Sequence, residues 1–132
     1  MKYMLDVNAL IALAHDAHTM HTCVVAWALR LPAPAVFLTT PLTELGFCRI
    51  SVTIGLQPDV AAARAALRQL KASPKHVFEF LPDTLGVDAM PAGVKRPSRL
   101  TDGHLLKLAK VGNATLATFD CGIKDTAVFL IS

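Results

Sequence analysis

Residues 2–14, KYMLDVNALIALA, decide the fold of this chain. The short apolar run at residues 3–5 predicts a β-strand, and residues 8–14 predict the start of a helix. Asp6 stands between these two apolar segments, where a carboxylate is costly unless a partner compensates its charge. Asp6 either caps the helix that follows or serves a function, and the rest of the sequence bears on that choice.

Composition predicts one folded domain over residues 1–132. The chain is 53% hydrophobic and 17% charged, which is typical of a protein with a buried core and excludes a disordered one. No apolar run approaches the roughly 20 residues that span a bilayer, and the N-terminus lacks the pattern of a signal peptide. The three cysteines form no C-x-x-C pair. Their pattern argues against a disulfide framework or a cysteine zinc site and favours the reducing cytoplasm.

Short apolar strands alternate with helices along the chain. The predicted strands cover residues 3–5, 36–39, 77–81, 115–119 and 127–131. The predicted helices cover residues 8–14, 19–31, 41–54, 59–72 and 101–111, with a short helix near 85–90. Thr40 and Thr101 are the expected N-caps of two of them, and Val60, Ala63, Leu67 and Leu70 are the expected core stripe of the fourth. This alternation predicts an α/β fold with a parallel sheet covered on both faces.

Four carboxylates occupy corresponding places in this pattern. Asp6 follows the first strand and Asp120 follows the fourth. Glu44 lies one turn into the helix after the second strand, and Asp102 opens the helix before the fourth. By helical periodicity, Glu44 and Asp102 each lie in line with the apolar residues of their helix, so both acids should point toward the sheet. Because sites in parallel α/β sheets form beyond the carboxyl ends of the strands, we expect these acids to converge there.

Each acid also has an ordinary structural explanation. Asp6 and Asp102 suit helix N-termini, Asp120 with Gly122 suits a turn, and Glu44 suits a solvated surface. Their convergence is harder to explain in this way, because two carboxylates ~4 Å apart repel by about 4 kcal/mol at an effective dielectric of 20. Oxygen ligands without His or Cys suit Mg²⁺ or Mn²⁺. Such a site activates water for attack on phosphorus, which favours phosphodiester hydrolysis.

Four segments, MLDVNALIAL, LTTPLTELGFCRI, RLTDGHLLKLAK and LATFD, resemble in this order the motifs of PIN-domain ribonucleases of the VapC toxin type. The resemblance spans the whole chain. It implies a three-layer α/β/α fold whose five-stranded parallel sheet has the order 3-2-1-4-5. It also implies an endoribonuclease that depends on Mg²⁺ or Mn²⁺, with an acidic quartet made of Asp6, Glu44, Asp102 and Asp120.

The same resemblance implies a biological setting. Such proteins are bacterial toxins, typically homodimers, that a cognate antitoxin neutralises, and they cut structured RNAs such as tRNA or ribosomal RNA. It further suggests that Thr118 hydrogen-bonds the site and that Asn8 orients Asp6, although an ordinary strand residue and an ordinary first-turn residue remain alternatives. Many relatives carry an aromatic residue where this chain has Ile123. Asp125 either reaches the metal through water or is a surface acid.

Basic residues and histidines complete the list of candidates. Lys95, Arg96 and Arg99 precede Asp102, so we expect them at the mouth of the site, in contact with RNA phosphates. A second basic group on the fourth helix, formed by Arg64, Arg68 and Lys71, is expected to be a solvated face. The spacing of His15, His18 and His21 predicts an exposed bend rather than a zinc site. His104 is expected to face away from Asp102.

Two other functions remain open at the level of sequence. A catalytically silent PIN-type module that binds RNA or protein would share the same motifs. A phosphoryl-transfer domain with Asp6 as the nucleophile would require a second Asp two residues later, where this chain has Asn8.

Overall fold

The computed structural model describes residues 1–90, 93–119 and 125–132. Its centre is a parallel five-stranded sheet with the order β3-β2-β1-β4-β5. The strands are β1 (Lys2–Leu5), β2 (Val36–Thr39), β3 (Val77–Phe80), β4 (Thr115–Thr118) and β5 (Val128–Leu130). In the register of the sheet, Met4 of β1 pairs with Leu38 on one side and Leu116 on the other. The predicted fold class and strand order are therefore confirmed.

The described ranges contain five α-helices between the strands, namely α1 (Val7–Ala14), α2 (His21–Arg30), α3 (Pro41–Thr53), α4 (Val60–Ala72) and α5 (Leu100–Val111). Single 3₁₀ turns at Val87–Ala89 and Pro97–Arg99 interrupt the segment between β3 and α5. No helix within the described ranges is long and apolar enough to cross a bilayer. Cys23 and Cys48 are free thiols.

Helices bury both faces of the central strands. On one face, α1, α2 and α3 enclose Leu5 within a cluster that includes Leu10, Trp27 and Phe47. On the other face, Met4 belongs to the cluster that surrounds Leu105, Leu108, Leu116 and their neighbours. Because successive residues of a strand point to opposite faces, Met4 and Leu5 serve the two clusters in turn. This explains why residues 3–5 form a continuous apolar run.

The covering does not reach the edge strands. Val77 and Phe80 of β3 are 57% and 50% exposed, and Phe129 and Leu130 of β5 are 42% and 46% exposed. The expectation that helices cover both faces is thus met at β1, β2 and β4 and is wrong at β3 and β5. The edge strands β3 and β5 each have one neighbouring strand in the sheet, and the helices pack mainly over the central strands.

Several predicted helix boundaries are wrong. Arg99, and not Thr101, occupies the N-cap position of α5, because the Pro97–Arg99 turn carries the chain into the helix earlier. Val60 is 56% exposed and does not belong to the core stripe. It is the first residue of α4, directly after the N-cap Asp59, whose carboxylate accepts a bond from the Ala62 amide at 2.8 Å.

The predicted second helix and the short helix near residue 85 are both too long. The second helix begins at His21, because residues 15–20 form turns stabilised by histidine side chains. The short helix is a single 3₁₀ turn.

Candidate active site

Asp6 is held rigidly where β1 ends and α1 begins. Its Oδ1 accepts a hydrogen bond from the Ala9 amide at 2.8 Å, which makes it the N-cap of α1. Its Oδ2 accepts a hydrogen bond from the Thr118 hydroxyl at the end of β4. The Asp6 amide donates to the Ala117 carbonyl at 3.1 Å, and the residue is 8% exposed. A buried carboxylate therefore sits between two adjacent strand ends.

Glu44 stands at the end of the next strand. Thr40 caps α3 through a capping box with Thr43, and Pro41 follows as the first helical residue, so the helix begins directly after β2. Glu44 consequently lies in the first turn. Its Oε2 accepts hydrogen bonds from the Thr39 hydroxyl and from the Lys71 ammonium, each at 2.6 Å.

A close contact holds the start of α1 against α3. Gly46 of α3 faces Val7 of α1, and a Cβ atom at position 46 would stand 2.7 Å from Cγ2 of Val7. Val7 follows Asp6 directly, and Gly46 lies two residues beyond Glu44. Neighbouring strands of one sheet lie ~4.8 Å apart, so the ends of β1 and β2, after which the two acids follow, are neighbours at the carboxyl edge of the sheet.

Asp102 approaches the same edge from the opposite face of the sheet. It lies in the first turn of α5, and its Oδ2 accepts a bond from Nη1 of Arg99 at 3.1 Å. Because α5 leads into β4, it runs antiparallel to the strands and begins near their carboxyl ends. A Cβ atom at Gly103 would stand 2.5 Å from the Val94 side chain, so the preceding segment packs closely against this helix start.

Asp120, the fourth predicted acid, lies outside the described residues, as does Ile123. Among the residues that are described, no three His, Cys, Asp or Glu side chains are close enough to hold a metal ion. The donor set predicted from sequence consists of carboxylates, which suit Mg²⁺ or Mn²⁺. Two of the described acids are paired with a cation, Lys71 or Arg99, so both already lie in a positive local field.

The remaining predicted site residues differ in their surroundings. Thr118 is fully buried and bonded to Asp6, whereas Asn8 is exposed in the first turn of α1. Lys95 and Arg96 are exposed, and Arg99 is paired with Asp102.

Asp125 accepts a bond from the Lys110 ammonium at 2.8 Å. That hydrogen bond and one from the Ala127 amide lower the pKa of Asp125 below its ordinary value. The structure thus gives this carboxylate a cationic partner on α5.

The histidines between α1 and α2 do not form an exposed bend. His15 is 7% exposed and stacks on Phe47, with ring centroids 5.5 Å apart. Its Nδ1 lies 2.8 Å from the Ile11 carbonyl oxygen, and Nδ1 of His21 lies 2.7 Å from the Ala12 carbonyl oxygen. Burial, aided by the two neighbouring histidines, lowers the pKa of His18. The predicted bend lies between the two helices, but the expected exposure is wrong for His15, because its ring, like that of His21, bonds to the end of α1.

His104 forms a contact that the sequence did not suggest. Its Nε2 lies 2.5 Å from Oδ2 of Asp83, in the segment that follows β3. Burial alone would raise the pKa of Asp83, but hydrogen bonds from His104 and from the Leu85 amide bring it below its ordinary value. The pair ties this segment to the start of α5, near Asp102.

Lys71 is the site residue that sequence analysis missed. We expected a solvated helix face from Arg64, Arg68 and Lys71, and the two arginines are indeed exposed. Lys71 instead lies on Glu44, and its side chain is 30% exposed. The available signal was its position beside the Leu67 stripe, which faces α3, but no local pattern links it to an acid in another helix.

Comparison with known proteins gives consistent results. No family model matches the chain. It is 39% identical over 125 residues to Ribonuclease VapC38 of Mycobacterium tuberculosis, across 91% of this chain and 86% of the relative. It is 34% identical over 137 aligned positions to Ribonuclease VapC29 of the same species, across 98% and 97% of the two chains.

Two solved structures share the fold. The crystal structure of M. tuberculosis VapC20, described as a Sarcin-Ricin loop cleaving toxin, superposes with a TM-score of 0.60 at 12% identity. That match covers 95% of this chain and 92% of VapC20. FitAcB from Neisseria gonorrhoeae matches with a TM-score of 0.52 at 19% identity, over 91% and 88% of the chains.

Proposed function

Since this chain belongs to the VapC family of ribonucleases, we propose that it hydrolyses RNA phosphodiesters with a divalent metal, as the toxin of a bacterial toxin–antitoxin pair. Its proposed substrate is a structured RNA of the tRNA or ribosomal type, cut in the cytoplasm. Its proposed partners are a cognate antitoxin and a second copy of the chain. The observation that carries this proposal is the placement of Asp6 and Glu44 at adjacent strand ends, each held by a threonine hydroxyl.

Asp6, Glu44 and Asp102, with Asp120 as the fourth member, would hold Mg²⁺ or Mn²⁺. When bound there, such a metal would supply a water of lowered pKa and would polarise the phosphoryl oxygens. The residues supply the positioning. The amide of Ala9 and the hydroxyl of Thr118 fix both oxygens of Asp6, and Thr39 fixes Oε2 of Glu44. These hydrogen bonds fix the orientation of the Asp6 and Glu44 carboxylates before a cation would bind.

The charges around the site support a metal rather than a purely structural role. Burying a carboxylate is unfavourable unless hydrogen bonds or opposite charges compensate it. Asp6 is 8% exposed, and the proposal groups further acids with it at the same edge, although capping α1 requires Asp6 alone. Capping alone would not require the other acids of the proposed quartet, of which Glu44 and Asp102 pair with Lys71 and Arg99 in the structure.

The test is incubation of purified, antitoxin-free protein with total RNA in Mg²⁺, in Mn²⁺ and in EDTA. We expect discrete cuts that require the metal and that disappear in Asp6→Asn. Asparagine caps helices as well as aspartate does, so this variant retains the fold while losing the charge. Asp16→Asn, which changes a side chain that is 99% exposed, is the matched control and should cleave normally.

Cleavage that persists in EDTA or in Asp6→Asn would contradict the metal mechanism. The absence of cleavage of any RNA would favour the silent RNA- or protein-binding module.

A further inference from the structure

A groove with basic side chains in its wall lies between α3 and α4 and includes Glu44 in its lining. Its volume is about 910 Å³. Leu45, Leu67 and Phe80 contribute to its apolar floor, and Arg64, Arg68 and Lys71 contribute its cations. These cations lie at positions i, i+4 and i+7 of α4, and therefore on one side of the helix. The groove thus connects a row of positive charge to the proposed active site.

The groove is suited to an anion. Among the described residues that line it, Glu44 is the one acid, opposite three cations. The Lys71 ammonium uses one contact on Glu44, at 2.6 Å. An ammonium group carries three N–H donors, so two remain for another acceptor. The Lys71 side chain is 30% exposed and is thus accessible to a ligand in the groove.

An aromatic ring lies beside this ammonium. Nζ of Lys71 stands 5.6 Å from the centroid of Phe80, which ends β3 and is 50% exposed. Exposed aromatic rings next to cations are the elements with which proteins bind single-stranded nucleic acid, because every base can stack and every nucleotide carries a phosphate.

We propose that Lys71 binds a phosphate of the RNA substrate beside Glu44, and that Arg68 and Arg64 continue this contact along α4. The inference rests on the proposed function, since it assumes an RNA substrate. Glu44 acts here as a positioning residue for Lys71. It fixes the ammonium at the carboxyl edge of the sheet, so that the phosphate it binds lies next to the acidic residues.

The experiment measures the binding of a fluorescently labelled single-stranded RNA of mixed sequence by anisotropy, in EDTA so that no cleavage occurs. Lys71→Met is compared with the unchanged protein over a range of salt concentrations. Each phosphate contact on a single strand contributes about 0.7 to the slope of log K against log salt. We expect Lys71→Met to reduce the slope by about this amount. The affinity ratio of the unchanged protein to Lys71→Met should then be about fivefold larger at 0.1 M salt than at 1 M.

Three further variants separate a phosphate contact from an ion pair that merely supports the fold. Lys71→Arg keeps the charge and should keep the salt slope. Lys75→Met removes one ammonium from an exposed position outside the groove and should bind like the unchanged protein. Arg68→Gln changes an exposed residue, so we expect this variant to fold and to lower the slope even if Lys71→Met proves unstable.

Unchanged affinity and salt slope in both Lys71→Met and Arg68→Gln would overturn the proposal, and would be the result for a groove that binds a protein segment. Failure of the unchanged protein to bind RNA would instead count against the proposed function. The two failures are therefore distinguishable.

Discussion

At the scale of single residues, Asp6 is the helix cap that the sequence offered as one alternative, and the cap leaves room for the proposed function. It caps α1 through Oδ1, and its Oδ2 accepts a hydrogen bond from the Thr118 hydroxyl. The cap accounts for one oxygen, whereas the proposed metal site accounts for the placement of the carboxylate among other acids. The sequence predicted this position because β1 and the following helix are both strongly patterned.

Lys71 and His104 show what sequence patterns leave out. The partner of Lys71 is 27 residues away in another helix, and the partner of His104 is 21 residues away. Helical periodicity describes which side of a helix a residue occupies, but it does not identify what a neighbouring element places opposite. Both contacts depend on how the helices pack over the sheet.

The contact between Asp83 and His104 makes stability depend on pH. The folded pKa of Asp83 lies below its unfolded value of about 3.8. Its ionised form therefore contributes stability above that value, and the contribution disappears as the pH falls through the folded pKa. We expect the free energy of unfolding, measured by urea denaturation, to fall more steeply between about pH 5 and 3 in the unchanged protein than in Asp83→Asn. Identical pH profiles would contradict a stabilising pair.

At the scale of elements, helix starts were the least predictable features. Thr101 has the chemistry of an N-cap, yet α5 already begins at Leu100 because the Pro97–Arg99 turn precedes it. Thr40 was predicted correctly, since Pro41 fixes the first helical residue after it. A cap is thus predictable where a second local signal agrees with it.

The contact between α1 and α3 requires a glycine at position 46. We expect Gly46→Ala to lower the free energy of unfolding by about 1 kcal/mol, because overpacking against Val7 costs about 1–3 kcal/mol and the better helix propensity of alanine offsets about 1 kcal/mol. The contact also brings the starts of α1 and α3 together. We therefore expect ribonuclease activity to fall even under conditions in which Gly46→Ala is fully folded.

Gly86→Ala is the matched control, because a Cβ atom there meets nothing within 4 Å. Its unfolding curve in urea should coincide with that of the unchanged protein. Equal stability and activity for Gly46→Ala would show that α1 and α3 are not in close contact.

At the scale of the whole molecule, the order of strands and helices was predictable from sequence. The central strands β1, β2 and β4 are almost continuously apolar because helices cover both of their faces. Glu79 was a local signal for the exposure of β3, whereas the exposure of β5 was not predictable, since Phe129 and Leu130 belong to an uninterrupted apolar run. Apolar composition alone does not distinguish a central strand from a lateral one.

We propose that residues 1–132 unfold as one domain. Tryptophan fluorescence reports Trp27 in one core cluster, and far-ultraviolet circular dichroism reports the helices on both faces of the sheet. The two signals should follow the same urea transition, as expected of a two-state domain. Transitions at clearly different urea concentrations would show that the two helical layers are independent.

The central claim is that acidic side chains from separate elements form one divalent metal site at the carboxyl edge of the sheet. The most direct test is calorimetric titration of the protein with Mn²⁺, without RNA, for the unchanged chain, Asp6→Asn and the control Asp16→Asn. We predict saturable binding to the unchanged chain and to Asp16→Asn, and at least about tenfold weaker binding to Asp6→Asn, which loses one ligand charge. Equal Mn²⁺ affinity in all three proteins would contradict the claim.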